Sequence, residues 1–174
     1  GAFEVVTSND LLLPIIHKGL INQPDLVITG LTASSSGVTV TIQNNGTTAT
    51  SNAFWVDVYF GLTSPPSLNQ PWKSTDAVAG AVWGVTKSLA PGETLVLTVG
   101  DTYYDTGESS GSFPSGVTVY AFADSINHST AVGNVVESDE GNNVFGAVTS
   151  TVGTGTPPTV VDQASENDRL PNRE

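Results

Sequence analysis

Between residues 24 and 152 the apolar positions recur with a period of two. GVTVTIQNN (37–45) sets Val38, Val40 and Ile42 on one side and Thr39, Thr41 and Gln43 on the other, the signature of a half-buried strand. NAFWVDVYFGL (52–62) opposes Phe54, Val56, Val58 and Phe60 to Trp55, Asp57 and Tyr59, and it is the aromatic centre of the expected core. ETLVLTVG (93–100) repeats the pattern with Leu95, Leu97 and Val99, and GVTVYAFAD (116–124) with Val117, Val119, Ala121 and Ala123. PDLVITGLTA (24–33), AVWGVTKSL (81–89) and NNVFGAVTSTV (142–152) complete seven strand-like runs. Turn chemistry separates them: Asn44-Asn45-Gly46-Thr47, and Leu89-Ala90-Pro91-Gly92-Glu93. Residues 63–79, with Pro65, Pro66 and Pro71, read as a long loop or irregular edge, and 101–115 as a second loop rich in Gly, Ser and acids. No segment carries a 3.6-residue period. Seven short strands with turns between them predict an all-β, antiparallel β-sandwich over 24–152, flanked by extended segments at 1–23 and 153–174.

Composition narrows what such a sandwich can do. Seventeen acidic residues against five Lys and Arg give a formal net charge of −12. With no basic stripe to neutralise phosphates, nucleic acid is excluded as a partner, and docking on an anionic membrane is disfavoured. No apolar run reaches the length of a membrane span, so no membrane insertion is expected. The chain has no Cys, which removes disulfides, thiolate metal sites and cysteine nucleophiles. It has no Met and begins Gly1-Ala2-Phe3. The expectation is a mature, exported chain whose targeting segment has been removed, with a trimmed domain as the alternative.

The densest chemistry lies in Ala121–Asn143, AFADSINHSTAVGNVVESDEGNN. Asp124, Glu137, Asp139 and Glu140 fall where two strands meet at one end of the sandwich. Carboxylates about 4 Å apart repel by roughly 4 kcal/mol at an effective dielectric of 20, so they spread into water, take up protons or take a cation. Calcium suits hard oxygen donors in a loop, and Asp124, Asn127, Glu137, Asp139, Glu140 and Asn142 form the candidate set. The alternative is that Asn142 and Asn143 cap the turn through bonds to backbone while the acids are solvated. Asp101, Asp105 and Glu108 make a lesser acidic loop.

Four short motifs, in order, resemble the CARDB domain, a bacterial cell-adhesion-related module. They are Pro24-Asp25-Leu26-Val27, then Val40-Thr41-Ile42-Gln43-Asn44-Asn45-Gly46, then Leu89-Ala90-Pro91-Gly92-Glu93, and finally Ala123-Asp124 with Val136-Glu137-Ser138-Asp139-Glu140 and Asn142-Asn143. The resemblance spans 24–148 and departs at the long inserts 63–79 and 101–115 and at both tails. It implies an immunoglobulin-like β-sandwich in an extracellular setting and no catalytic activity.

The remaining candidates are weighed against packing. His17 and His128 are the only histidines, and neither has a ligand at helical spacing. No nucleophile elbow, phosphate loop or dinucleotide fingerprint occurs, so no enzyme is expected. Trp55 and Trp83 read as core. Trp72, Tyr103 and Tyr104 lie in loops and are the candidate glycan contacts. Asn45-Gly46-Thr47 and Asn127-His128-Ser129 match the N-glycosylation pattern, which in a bacterial chain is usually chance. In Leu11–Ile16, alternate residues of an extended strand put Leu11, Leu13 and Ile15 on one face. Burying them contributes about 5–9 kcal/mol against about 6–12 kcal/mol to order six residues. Main-chain bonds to an unpaired sheet edge would tip that balance, which is β-strand addition. Where the edge belongs to a second copy, a ring or filament follows. The expected function is therefore a secreted structural subunit that polymerises with itself through its terminal strands, with an adhesion or carbohydrate-binding module facing surface glycans as the alternative.

Overall fold

A computed structural model describes residues 22–155 and 169–174. Seven strands form: β1 (Leu26–Ser34), β2 (Gly37–Asn44), β3 (Phe54–Phe60), β4 (Ala79–Val85), β5 (Thr94–Thr98), β6 (Thr118–Ala123) and β7 (Val144–Thr149). Each sits within or beside the run that its alternation marks. They make two antiparallel sheets, β1-β2-β5 and β4-β3-β6-β7, the antiparallel sandwich that the pattern predicts and of the immunoglobulin-like kind that the resemblance implies. β1 and β2 meet through a tight turn that pairs Ser34 with Gly37. The core between the sheets is built from the inward half of each alternation: Val38, Val40 and Ile42 from β2, Phe54, Val56, Val58 and Phe60 from β3, and Val119, Ala121 and Ala123 from β6. Leu11, Leu13 and Ile15 lie outside the described residues.

The outward half of β3 departs from a half-buried strand, because all seven of its residues are buried. Trp55, Asp57 and Tyr59 lie beneath further chain rather than in water. Tyr59 packs with Tyr120, Phe122, Leu62 and Leu68, and Trp55 packs with Val82, Ile126 and Leu170. Insert 63–79 supplies part of this cover. A 3-10 turn at Trp72–Ser74 lays the Trp72 ring over Gly80 of β4, where a Cβ would stand 2.1 Å from that ring. The insert is fastened by the Asn69 N–H to the Ser125 carbonyl at 2.9 Å and by the Asn127 N–H to Asn69 Oδ1 at 2.7 Å.

The second insert closes an edge. β4 is terminal in its sheet, and loop 103–110 takes up its outward backbone groups. The Gly84 N–H bonds the Tyr103 carbonyl, and the Asp105 and Ser110 N–H groups bond the Val82 and Gly80 carbonyls, at 2.8–2.9 Å. The Val82 and Gly80 N–H groups in turn reach Ser109 Oγ (2.9 Å) and Ser110 Oγ (3.0 Å). Covering an edge with a loop prevents stray strand pairing.

Candidate functional site

Two constellations stand out: the acidic end of the sandwich and the covered outer face of β3. At the acidic end, Asp124 follows β6 with φ 55°, a left-handed conformation that Asp tolerates better than most residues. Its carboxylate accepts the Asn134 N–H (2.9 Å) and the Val135 N–H (2.7 Å). It lies so close over Gly133 that a Cβ there would fall 2.2 Å from Oδ2. Glu137 is buried and accepts the Leu26 N–H and the Asn143 side-chain amide, the latter at 2.6 Å. Asp139 and Glu140 are exposed and accept the N–H groups of Gly141 (2.9 Å) and Glu137 (2.8 Å). Asn142 donates to Asp25 (2.9 Å). The Asn127 amide caps the turn after it, taking the Ser129 N–H and giving to the Gly133 carbonyl.

The motifs behind the family resemblance therefore meet in one hydrogen-bonded clasp. Asn44 joins it from β2: its Oδ1 accepts the Asp25 and Gly46 N–H groups at 3.0 Å, and its Nδ2 reaches the Thr48 (2.8 Å) and Leu89 (2.9 Å) carbonyls. The Ser138 N–H closes the ring on the Pro24 carbonyl at 2.9 Å. The turn-capping alternative differs in detail: Asn142 and Asn143 donate to carboxylates rather than to backbone, and Asp124 and Glu137 are buried while Asp139 and Glu140 are exposed.

Burial, joined by the nearby acids, pushes the Asp124 carboxyl up to about 7 and that of Glu137 to about 8, against the pull of the N–H groups they accept. Among the described residues no three His, Cys, Asp or Glu side chains are grouped to hold a metal ion. The Oδ1 atoms of Asn142 and Asn143 are buried without a hydrogen-bond partner among the described residues.

The second acidic loop is likewise engaged. Asp101 accepts the Thr98 and Tyr103 N–H groups (2.7 and 2.8 Å), Asp105 accepts that of Glu108 (3.0 Å), and Glu108 pairs with Lys73 at 3.2 Å. The three aromatic candidates do not share a surface. Tyr104 is buried in the core, edge-on to Trp83 at 5.4 Å, with Tyr103 packed against that core. Trp72 lies on the outer face and donates its indole N–H to the Glu108 carbonyl at 2.7 Å.

The outer face holds the constellation that sequence reading missed. Asp57, wholly buried at the centre of β3, receives a two-pronged bond from Arg173, Nη1 to Oδ2 at 2.9 Å and Nη2 to Oδ1 at 2.6 Å. The Ser125 hydroxyl adds a third bond at 2.5 Å. The guanidinium lies 4.6 Å from the Trp55 ring centroid, the geometry of a cation–π contact. The Trp55 indole N–H donates to the Pro171 carbonyl at 2.7 Å. Leu170 fills a notch over Gly84, where a Cβ would stand 2.4 Å from Leu170 Cδ1. Burial draws the Arg173 pKa down, but the bonds and charge of Asp57 outweigh it and hold the guanidinium above its ordinary value. A lone Asp within FWVDVYF, in a chain with only two arginines, was the signal available: a charge in an apolar strand demands a partner.

No family model matches the chain, and no curated protein matches it. Among solved structures it is similar to the CARDB domain of a protein from Pyrococcus furiosus, crystallised in complex with di-metal ions. The identity is 22% and the TM-score 0.43, with 76% of this chain and 97% of that one covered. The two antiparallel sheets are the immunoglobulin-like fold that the motifs imply.

Proposed function

We infer that the chain is a non-catalytic, adhesion-related module of an exported protein, which holds other chain segments and copies of itself rather than transforming a substrate. One observation carries this reading: the most deeply buried carboxylate, Asp57, is spent on binding Arg173 of a separate segment. Asp124, Glu140 and Asp105 accept loop N–H groups and Glu108 pairs with Lys73, which is the work of a scaffold. The assembly envisaged is an extracellular filament, tube or layer joined through terminal segments. Among the described residues β1, β5 and β7 end their sheets with no further strand alongside, β1 meeting only an isolated bridge from Ser34 to Thr151, so these are the edges on which Leu11, Leu13 and Ile15 of a second copy would add. Calcium enters as an accessory ligand of the clasp, through the Asn142 and Asn143 oxygens.

Sedimentation of the native chain over a range of concentrations, with electron microscopy of the same sample, tests the assembly. Masses above that of one copy are expected, and a single-copy mass throughout overturns it. A second reading, a module that binds surface glycans, is favoured by a cavity of about 220 Å³ lined by Tyr104, Phe113, Ser109, Ser110 and Ser112, since hydroxyl donors around aromatic rings suit a neutral sugar. A monomer retained on immobilised glycans would select that reading.

A further inference from the structure

We propose that the outer face of β3 and β4 is a recognition site for a Leu-Pro-x-Arg segment, and that at high chain concentration it takes residues 170–173 of a second copy. This deepens the chain-holding reading above and rests on it. The seat is made wholly by the body of the sandwich: Trp55 and Asp57 on β3, Gly84 on β4, and Ser125 just after β6. The segment brings what the seat lacks. Leu170 enters the Gly84 notch, the Pro171 carbonyl takes the indole N–H, and Arg173 supplies the planar two-pronged donor. Asn172 between them is exposed, so that position is free in identity.

Three features mark the seat as a binding site. Recognition is by side chains and two carbonyls, that of Pro171 bonded by Trp55 Nε1 and that of Arg173 lying 3.3 Å from His128 Nε2, with no ladder of backbone bonds, as in linear-motif capture. A carboxylate as buried as Asp57 is costly without a counter-charge, so the body by itself favours an incoming cation, and Ser125 provides only one bond. The partner must be arginine, because lysine cannot make the two parallel bonds or lie flat on Trp55. Residues 156–168 separate the segment from the sandwich in sequence, and it lies outside the core between the sheets. The same residues on a second copy make the same contacts. One's own segment wins at low concentration through its high effective concentration, and exchange yields reciprocal dimers or open chains as copies accumulate.

The test uses the full chain carrying Leu170→Ala and Arg173→Ala, which empties the seat, together with a fluorescent peptide of residues 168–174. Circular dichroism checks that the variant is folded. Saturable binding by anisotropy is expected. It should weaken at least tenfold when the peptide carries Arg173→Lys and vanish when Asp57→Asn is added to the chain. A folded variant that ignores the peptide, or that binds the lysine peptide equally well, overturns the proposal.

If that variant does not fold, the unaltered seat is probed instead. The chain has no cysteine, so Glu174→Cys on one preparation and Asn52→Cys on another accept a donor and an acceptor dye. Energy transfer between copies should rise with concentration and fall when excess unlabelled peptide is added; transfer that ignores the peptide refutes the exchange. Failure of peptide capture leaves the assembly and glycan-binding readings standing, since sedimentation and glycan retention test those separately.

Discussion

Asp124 and Glu137 show how one residue's surroundings set the response of the whole chain to pH. Both carboxyls are raised, to about 7 and about 8, above unfolded values near 4. The folded chain therefore holds more protons than the unfolded chain between about pH 4 and pH 8. Their contribution to stability is complete below pH 4 and is lost as pH rises through the folded values. The melting temperature should accordingly fall by at least about 5 °C between pH 5 and pH 9, followed by calorimetry. Glu137→Gln removes the titrating group while keeping an oxygen for the Leu26 N–H, and should flatten that slope. Gly84→Ala acts at the same scale: its Cβ meets Leu170 Cδ1 at 2.4 Å and Trp55 at 3.1 Å. It should cost about 1 kcal/mol and loosen the segment while the body stays folded, read as a change in Trp55 fluorescence. Of these residues the acids of the clasp were legible in sequence, because they fall within one short stretch, residues 121–143. Asp57 and Arg173 were not, because 116 positions separate them and no local pattern links them.

At the scale of elements, the strands were legible because alternation is a local property, whereas their cover was not. Trp55, Asp57 and Tyr59 read as the outward half of a half-buried strand, and only the folding of residues 63–79 and 169–174 over them makes β3 buried on both faces. Loop 103–110 is the counterpart for β4, where it replaces a missing neighbour strand. Removing the hydroxyls that serve the β4 amides, with Ser109→Ala and Ser110→Ala together, should cost about 1 kcal/mol per bond. It should also speed hydrogen exchange at Val82 and Gly80 ahead of the rest of the sheet and raise light scattering as the edge opens. The clasp makes its own prediction. If the Asn142 and Asn143 oxygens receive calcium, the ion offsets the repulsion among Asp124, Glu137 and Glu140 and raises the melting temperature at pH 8. Equal melting in calcium and in chelator leaves the clasp closed by hydrogen bonds alone.

For the whole molecule, the charge of −12 sets the terms on which copies meet. Like-charged particles repel over a Debye length, about 30 Å at 0.01 M salt and about 8 Å at 0.15 M. The attraction offered by the seat is short-ranged and largely shielded from solvent: the Arg173 and Asp57 side chains are 7% and 0% exposed, so salt screens it far less than it screens the repulsion. The two effects oppose each other with different reach. Raising salt from about 0.01 M to about 0.15 M should therefore increase association between copies, the reverse of what an interface held by exposed ion pairs would show. Sedimentation velocity across that range, on the unaltered chain and on Arg173→Ala, separates the causes. Salt-promoted association that disappears in Arg173→Ala assigns the contact to the seat. Salt-promoted association that persists in the variant moves the contact elsewhere, with the sheet edges at β1, β5 and β7 the next surfaces to block.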